Sequence, residues 1–145
     1  MNRQPRRAAI PGETTARLST LKAHGLLEVP VAEITARLRV AAEVAEAVDG
    51  AALMQECVPE REDLKRPLFS ELAELTGRHC VLASSSSFMT TSTSAAGTGA
   101  ESRALVAHPG NPPFAIPVIE LVPNPQTTPE TVQRAVESRI VVYGV

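Results

Sequence analysis

Short apolar runs that alternate with helical segments constrain the fold of this chain most. Five runs have the length of single strands: residues 51–58, 80–83, 104–107, 118–122 and 140–145. Leucines at helical spacing predict a helix after the first run, closed by Gly77, with one apolar stripe: Leu64, Leu68, Leu72 and Leu75. A further helix is predicted at 129–137. Strands that alternate with helices of this length indicate an α/β domain with a largely parallel sheet.

The first fifty residues carry weaker signals. We expect an amphipathic helix from Thr14 to about Leu27, short helices at 31–38 and 43–48, and a short strand at 39–41. The arginine-bearing start has no apolar segment behind it and predicts a frayed terminus, not a secretory signal. No apolar stretch has the length of a membrane span. We therefore divide the chain into a disordered or atypical N-terminus, 1–17, and one domain, 18–145.

The composition excludes several classes of partner. A chain of 145 residues fits one domain, and a net charge of −2 gives no electrostatic reason for binding nucleic acid or an anionic membrane. Aromatic residues make up 3%, too few for a base-stacking platform. Both cysteines, Cys57 and Cys80, stand in apolar runs and are expected to be buried free thiols of a reducing compartment. We expect a cytoplasmic protein.

Polar residues follow three successive strands of the predicted sheet. Glu60 follows the first, the serines of 84–87 follow the second, and His108 follows the third. Parallel strands bring such residues to one edge of a sheet, where ligands bind. Taken singly, each residue also fits a turn, and His108 could merely cap the turn that begins at Pro109. The convergence favours a functional site.

Glu120 lies within the apolar segment I-P-V-I-E-L-V. Strand alternation places it with Val118 and Val122, and a buried carboxylate needs a partner because leaving it unpaired costs several kcal/mol. His108 is a candidate because the P-x-N-P-P loop between the two residues can turn the chain back, and a histidine with a carboxylate can perform acid/base chemistry. An exposed edge strand is the alternative for Glu120.

Three further signals are weak when taken alone. Glu60 and Lys65 read as a solvated charge pair. Ser87 stands in a run of four serines that opens a tract of small residues, 84–100, which we expect to form a loop. The pair Gly97 and Gly99 lacks the third glycine of a dinucleotide fingerprint and follows no strand, so we reject it as one.

Four segments in order carry a family resemblance: Q-E-C-V-P-E-R-E-D-L-K, L-A-S-S-S-S, V-A-H-P-G-N-P-P and I-P-V-I-E-L-V-P-N-P. Together they resemble the NAD-binding domain of the 3-hydroxyacyl-CoA dehydrogenase family, in the branch that contains lambda-crystallin and L-gulonate 3-dehydrogenase. The resemblance is specific from about residue 51 to 136 and weaker back to about residue 18.

The resemblance implies an NAD-dependent oxidoreductase that oxidises the secondary alcohol of a 3-hydroxyacyl-CoA or related 3-hydroxy acid, in fatty-acid or sugar-acid metabolism. It implies that His108 is the general base, that Glu120 orients it, and that Ser87 hydrogen-bonds the reacting oxygen near the nicotinamide. The implied NAD contacts are Glu60, Lys65, Ser87 and Asn111. No metal ion is expected.

The family's opening strand, G-x-G-x-x-G loop and helix, which cradle the pyrophosphate, have no counterpart in residues 1–17. We also expect the family's C-terminal helical domain to be missing. We therefore expect an incomplete Rossmann-like doubly wound sheet without the first β-α-β unit, and an unpaired edge near Val58 that favours self-association or a complementary chain. The alternative is a non-catalytic truncated remnant or a protein-interaction module.

Overall fold

The computed structural model of the chain describes residues 4–113, 116 and 118–138. Its contacts divide the chain into two units, the first ending at Ala47 and the second beginning at Val48. The predicted final strand, 140–145, lies outside the described residues. Within the part that the structure describes, no helix combines the length and apolar character that a bilayer crossing requires.

The first unit is helical: α1 spans Gln4–Ala23, α2 spans Val31–Thr35 and α3 spans Val44–Val48. The helix α1 begins ten residues before the predicted start and includes most of the segment that we expected to be frayed. Its hydroxyl side chains bond back to the preceding turn, as Thr15 Oγ1 does to the Pro11 carbonyl at 2.8 Å.

The strand that we predicted at 39–41 is absent from the described fold. Arg39 instead donates to the Glu46 carbonyl at 2.9 Å, and the Ala42 amide donates to the Glu46 carboxylate at 3.2 Å. These bonds tie the segment to α3, and no neighbouring strand in the described first unit offers it a ladder. Local side-chain bonds have therefore replaced the sheet pairing that the sequence suggested.

The second unit contains a four-stranded sheet in the order β1-β2-β3-β4, and four of the five apolar runs that we predicted as strands are confirmed. Their bounds are Leu53–Glu56, Val81–Ser84, Ala104–Pro109 and Ile119–Pro123. The first three strands are parallel, as predicted, but β4 runs antiparallel to β3. The link from β3 to β4 is a hairpin loop, too short for the crossover that a parallel partner would need.

Three helices accompany the sheet: α4 spans Glu62–Leu75, α5 spans Thr91–Ser94, and α6 spans Pro129–Glu137. The bounds of α6 match the prediction, and Thr128 caps it by accepting a hydrogen bond from the Thr131 amide. The helix α5 falls inside the small-residue tract that we expected to be a loop. A single 3₁₀ turn at Glu101–Arg103 leads into β3.

The predicted leucine stripe of α4 is wrong in part. Its buried residues are Lys65, Phe69 and Leu72, whereas Leu64 and Leu75 are each 39% exposed. Positions 65, 69 and 72 also repeat at helical spacing, and this stripe carries the bulkiest apolar side chain of the helix. Lysine is usually a surface residue, so the sequence did not indicate that the face of the helix with Lys65 is buried.

The two faces of the sheet have different characters. One face forms an apolar cluster with Ala135 of α6, made of Val81, Ala83, Leu105 and Ala107 with the half-buried Leu53, Ile119 and Leu121. Because side chains alternate along a strand, the opposite face carries the polar residues of the strand ends. These are Glu56, Ser84, His108 and Glu120. The polar side chains at the strand ends therefore share one face of the sheet.

Candidate active site

Ser87 and His108 meet at the carboxyl edge of the parallel strands. Ser87 lies in the loop after β2 and is exposed, and His108 is the fifth residue of β3. The Ser87 Oγ atom and the His108 Nε2 atom are 3.1 Å apart, a hydrogen-bonding distance. The expected convergence of the second and third strands on one site is confirmed for this pair of side chains.

Glu120 stands directly across from His108 in the antiparallel pairing of β3 and β4. The His108 Nδ1 atom is 3.7 Å from the Glu120 Oε2 atom, and the two side chains are 33% and 70% exposed. The expectation that Glu120 is buried is therefore wrong, because β4 is the last strand of the described sheet and leaves this face open. The two side chains nevertheless face each other, as the sequence led us to expect.

Glu60 is hydrogen-bonded to the serine loop, residues 85–87, which follows β2. Its carboxylate accepts hydrogen bonds from the Ser86 hydroxyl and, at 2.7 Å, from the Ser87 amide. Burial by itself would raise the pKa of Glu60, but the bonds from these two serines, aided by the nearby Lys65 charge, outweigh it and lower the pKa. An ionised Glu60 thus holds the backbone that presents the Ser87 hydroxyl.

Lys65 is not the solvated residue that the sequence suggested. Its side chain is 1% exposed, and its Nζ atom lies 2.9 and 2.8 Å from the two carboxylate oxygens of Glu56. Its distance to the Glu60 carboxylate is 3.9 Å. We missed Glu56 entirely, although it ends an apolar strand. Like Glu120, Glu56 is a carboxylate in an apolar run, where a buried charge needs a partner, and Lys65 lies nine positions further along the chain.

Asn111 and Cys57 stand apart from this cluster. Asn111 is exposed, it precedes a cis peptide bond to Pro112, and no hydrogen bond among the described residues joins its side chain to Ser87 or His108. Cys57 is exposed, contrary to expectation, because β1 ends one residue before it. Cys80 is buried as expected, and burial raises the pKa of its thiol.

The donors and acceptors at this edge can bind a ligand that carries hydroxyl groups, such as the ribose of NAD. Ser87 offers an exposed hydroxyl, and the Glu60 carboxylate retains lone pairs for a ribose hydroxyl after accepting its two protein bonds. The described residues contain no matching cradle for the pyrophosphate. The amide of Gly97, in the glycine pair already rejected, donates to the Glu101 carboxylate, which repels a phosphate.

Comparison with known proteins gives the same family as the motifs. Residues 3–140 match the sequence profile described as "3-hydroxyacyl-CoA dehydrogenase, NAD binding domain". A lambda-crystallin homolog from Bos taurus is 51% identical over 89 residues, which are 61% of this chain and 28% of that protein. An L-carnitine dehydrogenase from Bacillus cereus (strain ZK / E33L) is 38% identical over 96 residues, covering 66% of this chain and 29% of that protein.

The fold is shared with solved structures as well. The 3-hydroxybutyryl-CoA dehydrogenase from Escherichia coli K12 superposes with a TM-score of 0.80 at 26% identity, covering 91% of this chain and 28% of that one. The Rossmann-like fold class is therefore confirmed. The chain spans about 28% of the length of the first curated relatives that it matches. Its profile match nevertheless covers nearly all of its residues, and the chain belongs to the 3-hydroxyacyl-CoA dehydrogenase family through its NAD-binding domain.

Proposed function

We propose that this chain carries the catalytic residues of an NAD-dependent dehydrogenase that oxidises the secondary alcohol of a 3-hydroxyacyl-CoA or a related 3-hydroxy acid to a ketone. The observation that supports this most is the 3.1 Å contact between Ser87 Oγ and His108 Nε2 at the carboxyl edge of the sheet. It combines a hydroxyl that can hold a substrate oxygen with a nitrogen that can take a proton.

In the proposed reaction, the Ser87 hydroxyl hydrogen-bonds the substrate oxygen and holds it within reach of His108 Nε2. His108 then takes the hydroxyl proton while the carbon–hydrogen bond at the same carbon breaks and a carbonyl forms. The chemistry that NAD supplies when bound is acceptance of the departing hydride. Protonation leaves a positive imidazolium, which the carboxylate of Glu120, 3.7 Å from Nδ1, stabilises by charge.

The substrate class is proposed from similar proteins, which include a 3-hydroxybutyryl-CoA dehydrogenase and an L-carnitine dehydrogenase. It places the reaction in fatty-acid or sugar-acid metabolism. We also propose the cytoplasm as its location, which agrees with two cysteines that are both free.

A chimera tests the proposed activity without depending on the length of this chain. The 96 matched residues of the Bacillus cereus L-carnitine dehydrogenase would be replaced by their counterparts here, and L-carnitine oxidation would be followed by NADH absorbance. We expect His108→Gln in the chimera to lower turnover by about 10²–10⁴-fold. The control is His79→Gln, an exposed histidine just before β2 at the opposite end of the strands. Equal turnover in the His108→Gln and parent chimeras would contradict the proposal.

A second proposal concerns association. In the described sheet β1 pairs with β2 on one side only, and its Leu53 and Met54 are half-buried. An open strand edge pairs readily with another chain, so we propose self-association or a complementary chain at this edge. This is also the edge through which a non-catalytic interaction module would act. A monodisperse monomer in sedimentation at high concentration would contradict self-association.

A further inference from the structure

We propose that Lys65 serves the reaction as a positioning residue, acting through Glu60 and the serine loop on His108, and not as a direct contact of the dinucleotide. This inference rests on the proposed function, in which His108 takes the proton. It concerns a connected path of hydrogen bonds that begins in the interior of the second unit and ends at the imidazole.

The path begins at the buried ion pair between Lys65 and Glu56. Lys65 Nζ contacts both Glu56 oxygens, at 2.9 and 2.8 Å, and also lies 3.3 Å from the Val58 carbonyl and 3.5 Å from the Ser84 hydroxyl. Glu56 accepts a further bond from the Ser84 hydroxyl at 2.6 Å. Lys65, which lies on α4, therefore bonds to the last residues of both β1 and β2.

Two links carry this arrangement outward to the serine loop. The Ser86 amide donates to the Ser84 hydroxyl at 3.3 Å, and the Lys65 ammonium faces the Glu60 carboxylate at 3.9 Å. Glu60 in turn binds the Ser86 hydroxyl and the Ser87 amide. The side chain of Ser87 then reaches His108 Nε2. A hydrogen bond or an ion pair therefore connects each residue on the path from Lys65 to His108 with the next one.

The ammonium of Lys65 has little capacity left for a ligand. It carries three hydrogens, and four protein oxygens already lie within 3.5 Å of it. A dinucleotide would have to displace a bond to Glu56 and expose a buried charge, which is costly. Glu60, whose side chain is 29% exposed, remains accessible. The positive charge of Lys65 therefore acts through Glu60.

The test removes the buried charges while preserving their shapes. Glu56→Gln combined with Lys65→Met replaces the buried pair by neutral residues of similar size in the full chain. The matched control is Glu62→Gln combined with Arg66→Met, which removes an exposed pair on the same helix. Isotope-labelled samples report the carboxyl carbon of Glu60, the amide of Ser87 and the ring of His108 by NMR, and NADH affinity is measured by calorimetry.

In the double variant we expect Glu60 to titrate at higher pH, because the facing cation is gone. The charged and titratable groups around it are otherwise His108, reached through Ser87, and Glu120 beyond it. The signals of Ser87 and His108 should move with Glu60, NADH affinity should fall by no more than it does in Glu60→Gln, and the control should leave all three signals unchanged. Unmoved Ser87 and His108 signals overturn the proposal, and a tenfold loss of NADH affinity alongside them identifies a direct contact instead.

A second variant keeps the test decisive if the double variant does not fold. Glu60→Gln changes a partly exposed residue and leaves the buried pair intact, so it should fold and move the signals of Ser87 and His108. Unmoved signals in this variant also overturn the proposal. None of these readouts requires turnover, so an inactive chimera would defeat the proposed function without deciding the role of Lys65.

Discussion

A lysine–glutamate pair and a histidine–glutamate pair lie on the same face of the sheet, and they differ in burial. Lys65 and Glu56 approach to 2.8 Å with side chains that are 1% and 0% exposed. His108 and Glu120 lie 3.7 Å apart with side chains that are 33% and 70% exposed. A buried, fully bonded pair cannot exchange protons with a substrate, whereas an open pair can. We therefore propose a structural role for the first pair and acid/base chemistry for the second.

The difference arises from where each strand lies in the sheet. The helix α4 presents Lys65 to the ends of β1 and β2, so water does not reach Glu56. Glu120 is on β4, the last strand of the described sheet, and its side chain remains in solvent. Glutamate is therefore a buried partner of a lysine at position 56 and an exposed partner of a histidine at position 120.

Lys65→Met alone should have the largest effect, because it leaves the Glu56 carboxylate buried without its cation. We expect a loss of about 3–5 kcal/mol of unfolding free energy, measured by urea denaturation. Arg66→Met, which removes the exposed cation of the neighbouring pair, should cost about 0.5 kcal/mol or less. Equal losses in the two variants would show that the buried pair has no special structural weight.

Gly110→Ala should have the next largest effect. A Cβ at Gly110 would stand 2.6 Å from Ile116 Cγ2 and 3.1 Å from Ile116 Cβ, so the side chain or the loop must move. The Gly110 amide also donates to the Val118 carbonyl, extending the hairpin that sets His108 opposite Glu120. We expect a loss of about 1–3 kcal/mol by thermal unfolding. An unchanged melting temperature would mean that the hairpin adapts freely.

The pH dependence of stability should reveal Glu60. Its pKa in the folded state lies below the ordinary value of 4.5, so its ionised form stabilises the fold above that pH. The stabilisation is lost as the pH falls through the lowered folded pKa. Urea midpoints measured from neutral to acidic pH should therefore fall less steeply in Glu60→Gln than in the wild type. Parallel profiles would contradict the bonds that we assign to this carboxylate.

Glu120→Gln should have the smallest effect on stability, about 0.5 kcal/mol or less, because an exposed pair at 3.7 Å contributes little. Differential scanning calorimetry of the variant and the wild type would measure it. In the chimera, the same substitution should lower turnover, since the imidazolium loses its carboxylate. A variant that loses stability but keeps turnover would reverse the roles of the two pairs.

The sequence was informative where local pattern decides the structure. The strands at 80–83 and 104–107 were predictable from apolar runs, and the helix at 129–137 was also predicted with its observed bounds. The pairing of His108 with Glu120 followed from their spacing across a turn. These features depend on neighbours that are close along the chain.

Burial was less predictable, because it depends on elements that are distant along the chain. Lys65 is a surface residue by type, and only the strand-end acceptors Glu56 and Ser84, 9 and 19 positions away from it, make its burial tolerable. The exposure of Glu120 depends on which strand ends the sheet. The apolar residues next to Glu120 in the sequence do not indicate which strand that is.

The most direct test of the central claim uses the histidines. The chain has three, His24, His79 and His108, and only His108 lies at the carboxyl edge of the sheet. Their ring-proton NMR signals would be followed during titration of the chain with NADH to concentrations of about 10 mM. This range suits the weak binding that we expect because the described residues contain no pyrophosphate cradle. The account predicts that only the His108 signal moves. Movement of the His79 or His24 signal alone, or no movement, would contradict it.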